Sequence, residues 1–159
     1  SSGLVWGMSI VGVISDTHGL LRPQAVVALA GCDRILHAGD IGQPEVLEGL
    51  RAIAPVVAVR GNVDLGWAKA LPETTQVDIA GRRILLLHNL AELEIDPHTA
   101  GIDVVIAGHS HRPKIETRDR VLYVNPGSPG PRRFALPIAV AQIEITERAV
   151  EARIIELSV

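Results

Sequence analysis

The sequence predicts an α/β fold: a mixed sheet with helices covering its faces, or two packed sheets between helices. Three observations predict it. Short apolar runs recur along the whole chain. In the first half they alternate with helical patterns that open on proline, and in the second half mainly turns separate them. The 159 residues, 47% hydrophobic, are enough for one domain with a real core, taken as 1–159.

Residues 9–14 form a β-branched strand that runs into Ser15-Asp16-Thr17-His18-Gly19. Residues 23–30 carry proline in the first turn and stop at Gly31, a helix. A second short strand, 34–37, ends in Ala38-Gly39-Asp40. Residues 44–53 place Val46, Leu47, Leu50 and Ile53 at helical spacing after a proline start. The third strand, 56–59, ends in Arg60-Gly61-Asn62, and 64–70 is irregular or a short helix.

Strands 74–79 and 82–87 join across Ala80-Gly81, and the second ends in His88-Asn89. Residues 90–101 are short, acidic and broken by Pro97. Strand 102–106 leads into Gly108-His109-Ser110-His111. Residues 114–117 and 121–124 flank Arg118-Asp119-Arg120 as a hairpin, and 125–131 is a rigid Pro/Gly loop. Residues 138–145 and 149–157 alternate across a turn near Thr146-Glu147, a terminal hairpin open to pairing with a second subunit as a homo-oligomer.

Composition removes several classes. Net charge is −3, and only four aromatic side chains are present, so no nucleic-acid surface is evident. No apolar run reaches the roughly 18 residues of a membrane span. The one cysteine, Cys32, excludes an internal disulfide and a thiolate zinc cluster. It reads as a small buried apolar residue in a reducing, cytoplasmic setting. The start has no basic region of the kind a signal peptide carries. Residues 1–7 read as an expression remnant, with Met8 as the native start.

Five apolar strands therefore end in metal-ligand residue types: Asp16 with His18, Asp40, Asn62, His88, and His109 with His111. Sites in α/β sheets gather outside the carboxyl ends of strands. On chain still extended after its strand, His109 and His111 should point to one side. Seven ligands are too many for one ion and suit two. Asp40 is the shared carboxylate, with Asp16, His18 and His111 on one ion and Asn62, His88 and His109 on the other. Nitrogen and oxygen donors without thiolate suit manganese first, then iron, zinc, nickel or cobalt. Two divalent ions, two aspartates and a bridging hydroxide leave a charge of +1, which suits a phosphate substrate. Such a pair, typically about 3.5–4 Å apart, supplies hydroxide for in-line attack on phosphorus. Asp40, Asn62 and His88 are the expected catalytic residues.

The ordered set Asp16-Thr17-His18, Gly39-Asp40, Gly61-Asn62, His88 and Gly108-His109-Ser110-His111 resembles the calcineurin-like metallophosphoesterase superfamily. Asn125-Pro126-Gly127-Ser128 and the small size are similar to its compact phosphodiesterase branch. The resemblance implies a four-layer α/β/β/α sandwich of two mixed sheets, a dinuclear centre with the ligand division above, and a phosphodiesterase or phosphatase hydrolase. It departs in three places. Val63 stands where larger relatives carry a histidine that protonates the leaving group or holds the phosphate, which favours diesters, esters with good leaving groups, or protonation by water. Asn89 replaces a common glycine. The stretch 88–109 is short for the helix many relatives have there.

Two alternatives follow. A phosphomonoesterase would share the site. A non-catalytic protein-binding scaffold would resemble the retromer subunit of this superfamily. Among other residues, His37 inside its strand reads as structural, with proton donation as the lesser reading. His98, Arg132 and Arg133 read as solvated. Asp64 reads either as a supporting carboxylate or as a cap, and Asn125 and Ser128 as braces of the rigid loop.

Overall fold

The computed structural model describes residues 8–159, so the reading of residues 1–7 as a remnant lies outside the described residues. In chain order the elements are β1 (Ser9–Ile14), α1 (Pro23–Leu29), β2 (Arg34–His37), α2 (Pro44–Arg51), β3 (Val56–Ala58) and β4 (Thr74–Ile79). Then come β5 (Arg82–Leu87), β6 (Val104–Ile106), β7 (Lys114–Arg118), β8 (Val121–Asn125), β9 (Ala139–Ile145) and β10 (Val150–Glu156). Short 3-10 turns lie at Gly66–Ala68 and Leu90–Glu92.

The strands form two five-stranded mixed sheets, ordered β10-β9-β1-β2-β3 and β4-β5-β6-β8-β7. β1, β2 and β3 run parallel, and so do β5, β6 and β8. The five site-bearing strands therefore lie next to one another within their sheets. The last four residues of β5 and all of β6 are apolar and buried because both their faces are covered. β4, at the edge, alternates exposed and half-buried residues.

Val11, Val13, Leu36 and Ala38 of the first sheet meet Ile84, Leu86, Val104 and Ile106 of the second in one buried cluster. Each buried Leu or Ile contributes roughly 1.5–3 kcal/mol, and this interface holds the sheets face to face. On the outside of the first sheet, Ala25 and Leu29 of α1 and Val46, Leu47 and Leu50 of α2 pack on Ile14 and Ile35. Glu45, Glu48 and Arg51 of α2 face solvent, as helical spacing predicts. α2 ends two residues before the expected 53: the N–H of Ile53 turns back to the Leu50 carbonyl, and Pro55 disfavours helix in the residue before it.

The outer face of the second sheet is covered differently. Leu85, Leu87, Val105, Ala107 and Val121 form a third cluster, with Leu93 and Tyr123 packed against it. The cover between β5 and β6 is the 3-10 turn followed by bends around Pro97. It contains no α-helix, as its length implied. Asn89 sits at φ −118° and caps the turn, its Oδ1 accepting the Ala91 N–H at 3.1 Å. A residue with negative φ needs no glycine, so the substitution leaves the loop unstrained.

Candidate metal centre

The loops after β1, β2, β3, β5 and β6 converge at one end of the sandwich. Backbone hydrogen bonds stitch them in pairs. The Asp16 N–H donates to the Gly39 carbonyl and His18 N–H to that of Asp40, each at 2.9 Å. Gly108 N–H donates to the His88 carbonyl, also at 2.9 Å.

Each aspartate is split between two duties. Asp16 Oδ2 accepts from Ser15 Oγ at 2.6 Å and from the His109 N–H at 3.0 Å. Its Oδ1 has no hydrogen-bond partner and lies 3.3 Å from His111 Nε2, 3.8 Å from His18 Nε2 and 3.9 Å from His88 Nε2. Asp40 Oδ1 accepts the Val63 N–H at 3.0 Å. Its Oδ2 turns inward, 3.2 Å from His88 Nε2 and 3.8 Å from His18 Nε2.

Two glycines allow this crowding. A Cβ at Gly61 would overlap Asp40, and one at Gly108 would overlap Ser15 Oγ and come within 2.5 Å of Asp16 Oδ2. Any side chain at either position would push a carboxylate out of place.

His88 Nδ1 lies 2.8 Å from the Ala38 carbonyl and donates to it, which leaves the Nε2 lone pair facing the cluster. His109 Nδ1 stands 3.3 Å from that Nε2, a spacing at which two imidazoles share one proton or one cation. His111 is buried, with neither ring nitrogen hydrogen-bonded. Asp16, His18 and His111 form one group of donor atoms mutually within 4.8 Å, and Asp16, Asp40 and His88 form another.

Buried donors without partners are costly in a dry site. Asp16 Oδ1, His18 Nε2 and His111 Nε2 are three such atoms on one point, so the residues present fit a cation. The chain is not extended at the two C-terminal histidines as the sequence suggested. His109 and His111 have φ of 72° and 61°, in the left-handed region. The turn sends His109 to His88 and His111 to Asp16, rather than both to one side. Asp16, His18 and Asp40 share this backbone state, with φ of 56°, 46° and 55°. Strain of this kind concentrates at functional sites. Asn62 is exposed beside Gly61, and its side chain makes no hydrogen bond among the described residues.

Charge and burial oppose each other here. Burial pushes the Asp16 carboxyl up, but the close His111 ring, the Ser15 hydrogen bond and the nearby His88 hold it below its usual range. Burial also raises Asp40, and the His88 contact and Val63 N–H outweigh it, bringing it to about 2. His88 is lowered by burial and raised more by Asp40 and Asp16, for a net upward shift.

The structure gives the supporting residues their partners. Asp64 is buried and accepts the N–H groups of Ile41 (2.9 Å), Gly42 (3.1 Å) and Gly61 (2.8 Å), pinning the β2 and β3 loops together. His37 is fully buried. Its Nδ1 accepts the Gly39 N–H at 3.0 Å, so its Nε2 carries the proton and donates to Thr17 Oγ1 at 3.0 Å. Burial drives its pKa down to about 4. Both nitrogens are occupied, so it is structural and has no proton for a substrate. Asn125 Nδ2 donates to the Gly108 carbonyl at 3.0 Å and to Ser110 Oγ at 3.1 Å, and Ser128 Oγ donates to the Asp16 carbonyl at 2.7 Å. Cys32 is buried, and His98, Arg132 and Arg133 are exposed. Ser15 and Thr17 carry no sequence signal for these roles beyond adjacency to Asp16.

The model of the calcineurin-like phosphoesterase superfamily domain matches residues 8–148. A protein of Methanothermobacter thermautotrophicus named as a probable metallophosphoesterase is 35% identical, covering 92% of this chain and 91% of its own. The phosphodiesterase YfcE of Escherichia coli is 33% identical over 72% of this chain and 76% of its own. A solved structure of an archaeal phosphodiesterase superposes with a TM-score of 0.78 at 26% identity, covering 93% of this chain and 99% of that one.

Proposed function

The chain belongs to the calcineurin-like phosphoesterase superfamily, and from that premise we propose that it is a phosphodiesterase working with two divalent ions. The observation that carries the reading is the convergence of Asp16 Oδ1, Asp40 Oδ2 and the Nε2 atoms of His18, His88 and His111, with the other oxygen of each aspartate and His88 Nδ1 tied down by other protein groups.

Asp16, His18 and His111 are assigned to one ion, and Asn62, His88 and His109 to the other, with Asp40 shared. Asp16 Oδ1 reaches both His18 and His88, which supports a second shared contact. Manganese is the first choice, and iron, zinc, nickel and cobalt suit the same donors. When bound, the two ions supply a water-derived nucleophile at neutral pH and a clamp on the phosphate oxygens.

The protein's own groups do the rest. Ser15 and the Val63 N–H fix the carboxylates, Asp64 holds the β2 and β3 loops, and Asn125 and Ser128 hold those bearing Asp16 and His109. Water cleaves the diester in line with the leaving oxygen, giving a monoester and an alcohol. The side chain at position 63 is an exposed valine without a proton, and His37 is locked. The leaving group therefore takes its proton from solvent, which favours diesters over monoesters. YfcE and the archaeal structure are named phosphodiesterases, which supports the same choice. The single buried thiol, Cys32, suits work in a reducing cytoplasm.

The test is metal content by elemental analysis beside hydrolysis of bis-p-nitrophenyl and mono-p-nitrophenyl phosphate, with added manganese and with a chelator. Two ions per chain and chelator-sensitive cleavage of the diester are expected. Bound metal with no turnover of either ester would instead indicate a protein-binding scaffold.

A further inference from the structure

Among the described residues, three grooves that reach the candidate centre differ in charge. The largest of them, about 820 Å³, touches His88 and carries Glu73, Glu92 and Glu94 with no lysine or arginine in its lining. The smallest, about 420 Å³, mixes Arg60 and Lys69 with Asp64, Glu73 and Glu92. The third, about 500 Å³, starts at His109 and carries Arg112, Lys114 and Arg118 against one acid, Glu116. It lies on the outer face of β6, β8 and β7, with Val105, Ala107 and Tyr123 in its lining.

Resting on the phosphodiesterase reading above, we propose that this third groove binds the second arm of the diester and selects arms that end in a further phosphate. A phosphodiester is already an anion, so the acidic groove repels it and the basic groove attracts it. Lys114 and Arg118 share Glu116, at 3.5 and 3.4 Å, and Arg112 makes no ion pair among the described residues. Counting these side chains, the groove holds a net +2 within a chain of −3. The Arg118 guanidinium lies 4.2 Å above the Tyr123 ring, which holds it flat along the wall.

Ser110 gives an independent sign of an anion at the inner end. Its Oγ accepts Asn125 Nδ2 at 3.1 Å and the Arg112 N–H at 3.2 Å. Both lone pairs are used, so its own proton is left for an acceptor in the groove. The groove thus offers one hydroxyl donor, next in the chain to His109, together with three cations, matching two phosphates on one ligand.

The test compares the p-nitrophenyl ester of thymidine 5′-phosphate with the same ester bearing a 3′-phosphate, in the wild type and in the double variant Arg112→Gln, Lys114→Gln. The wild type should show a KM about tenfold lower for the 3′-phosphorylated ester, an advantage that shrinks as salt rises. The variant should lose that preference, giving KM values for the two thymidine esters within about twofold of each other. Equal KM values in the wild type, or a preference kept by the variant, would overturn the proposal. Calorimetric binding of thymidine 3′,5′-bisphosphate and of thymidine 5′-phosphate judges the groove without turnover. If no ester is cleaved, the phosphodiesterase reading fails, and tighter bisphosphate binding by the wild type than by the variant still supports the groove. Equal binding by the two proteins removes it.

Discussion

The two halves of the candidate centre are built to different standards. Around Asp16, His18 and His111 the donor atoms are buried, and three of them lack any protein partner. Around Asp40, His88, His109 and Asn62, the aspartate is anchored, but Asn62 and His109 are exposed to water. A dry half with unsatisfied donors gains most from a cation, because nothing else can offset its desolvation. The wet half has water as an alternative. On the proposed two-ion reading, the Asp16 half would keep its ion more tightly and the other half would exchange its ion more readily.

The most severe way to break this comparison is Asp16→Ala. Asp16 Oδ1 faces both halves, so the variant should lose both ions and more than about a hundredfold in diester turnover, exceeding typical losses from outer supporting residues. Elemental analysis that still finds one tightly held ion would mean the halves are independent.

Asp64→Ala strikes the open half alone. Three backbone N–H groups lose their acceptor, at a cost of roughly 3 kcal/mol in urea unfolding. Metal content should fall toward one ion per chain as Asn62 drifts from Asp40. A variant unchanged in stability would show that water replaces the carboxylate.

His37 bridges the halves, holding Thr17 on one side and the Gly39 N–H on the other. Its folded pKa is depressed to about 4. Its contribution is complete above the unfolded value near 6.5 and is lost as pH falls toward 4, because the unfolded chain takes up a proton that the folded chain refuses. Metal-free protein should lose on the order of 2 kcal/mol from this group between pH 7 and 5. His37→Asn should flatten that slope in parallel unfolding titrations. Identical slopes would mean that His37 is protonated in the fold.

The mildest change is Asn62→Ala. An exposed amide that water can replace should weaken the second ion by about tenfold and leave the first untouched, as metal titration of the chelated protein would show. Loss of both ions would move Asn62 into the dry half.

Much of this was legible in the chain. Strand and helix positions follow from apolar periodicity and from Pro23, Pro44 and Gly31, because local sterics act over a few residues. The order Asp16, His18, Asp40, Asn62, His88, His109, His111 named the candidate ligands, because parallel strands bring their carboxyl ends together.

The third dimension decided the rest. Left-handed backbone at His109 and His111 separates two histidines that an extended chain would have aligned. In sequence Asp64 reads equally as a supporting carboxylate or as a cap, and only the fold decides, because its partners lie up to 23 residues away. His37 is neutral because two loops close over it, and Ser110 has a free proton only because Asn125 and Arg112 occupy its lone pairs. Sequence determined which groups could meet, since spacing and residue type are local. Packing decided which of their atoms are tied, which are dry and which remain free, since hydrogen bonds and desolvation depend on neighbours that the chain brings in from afar.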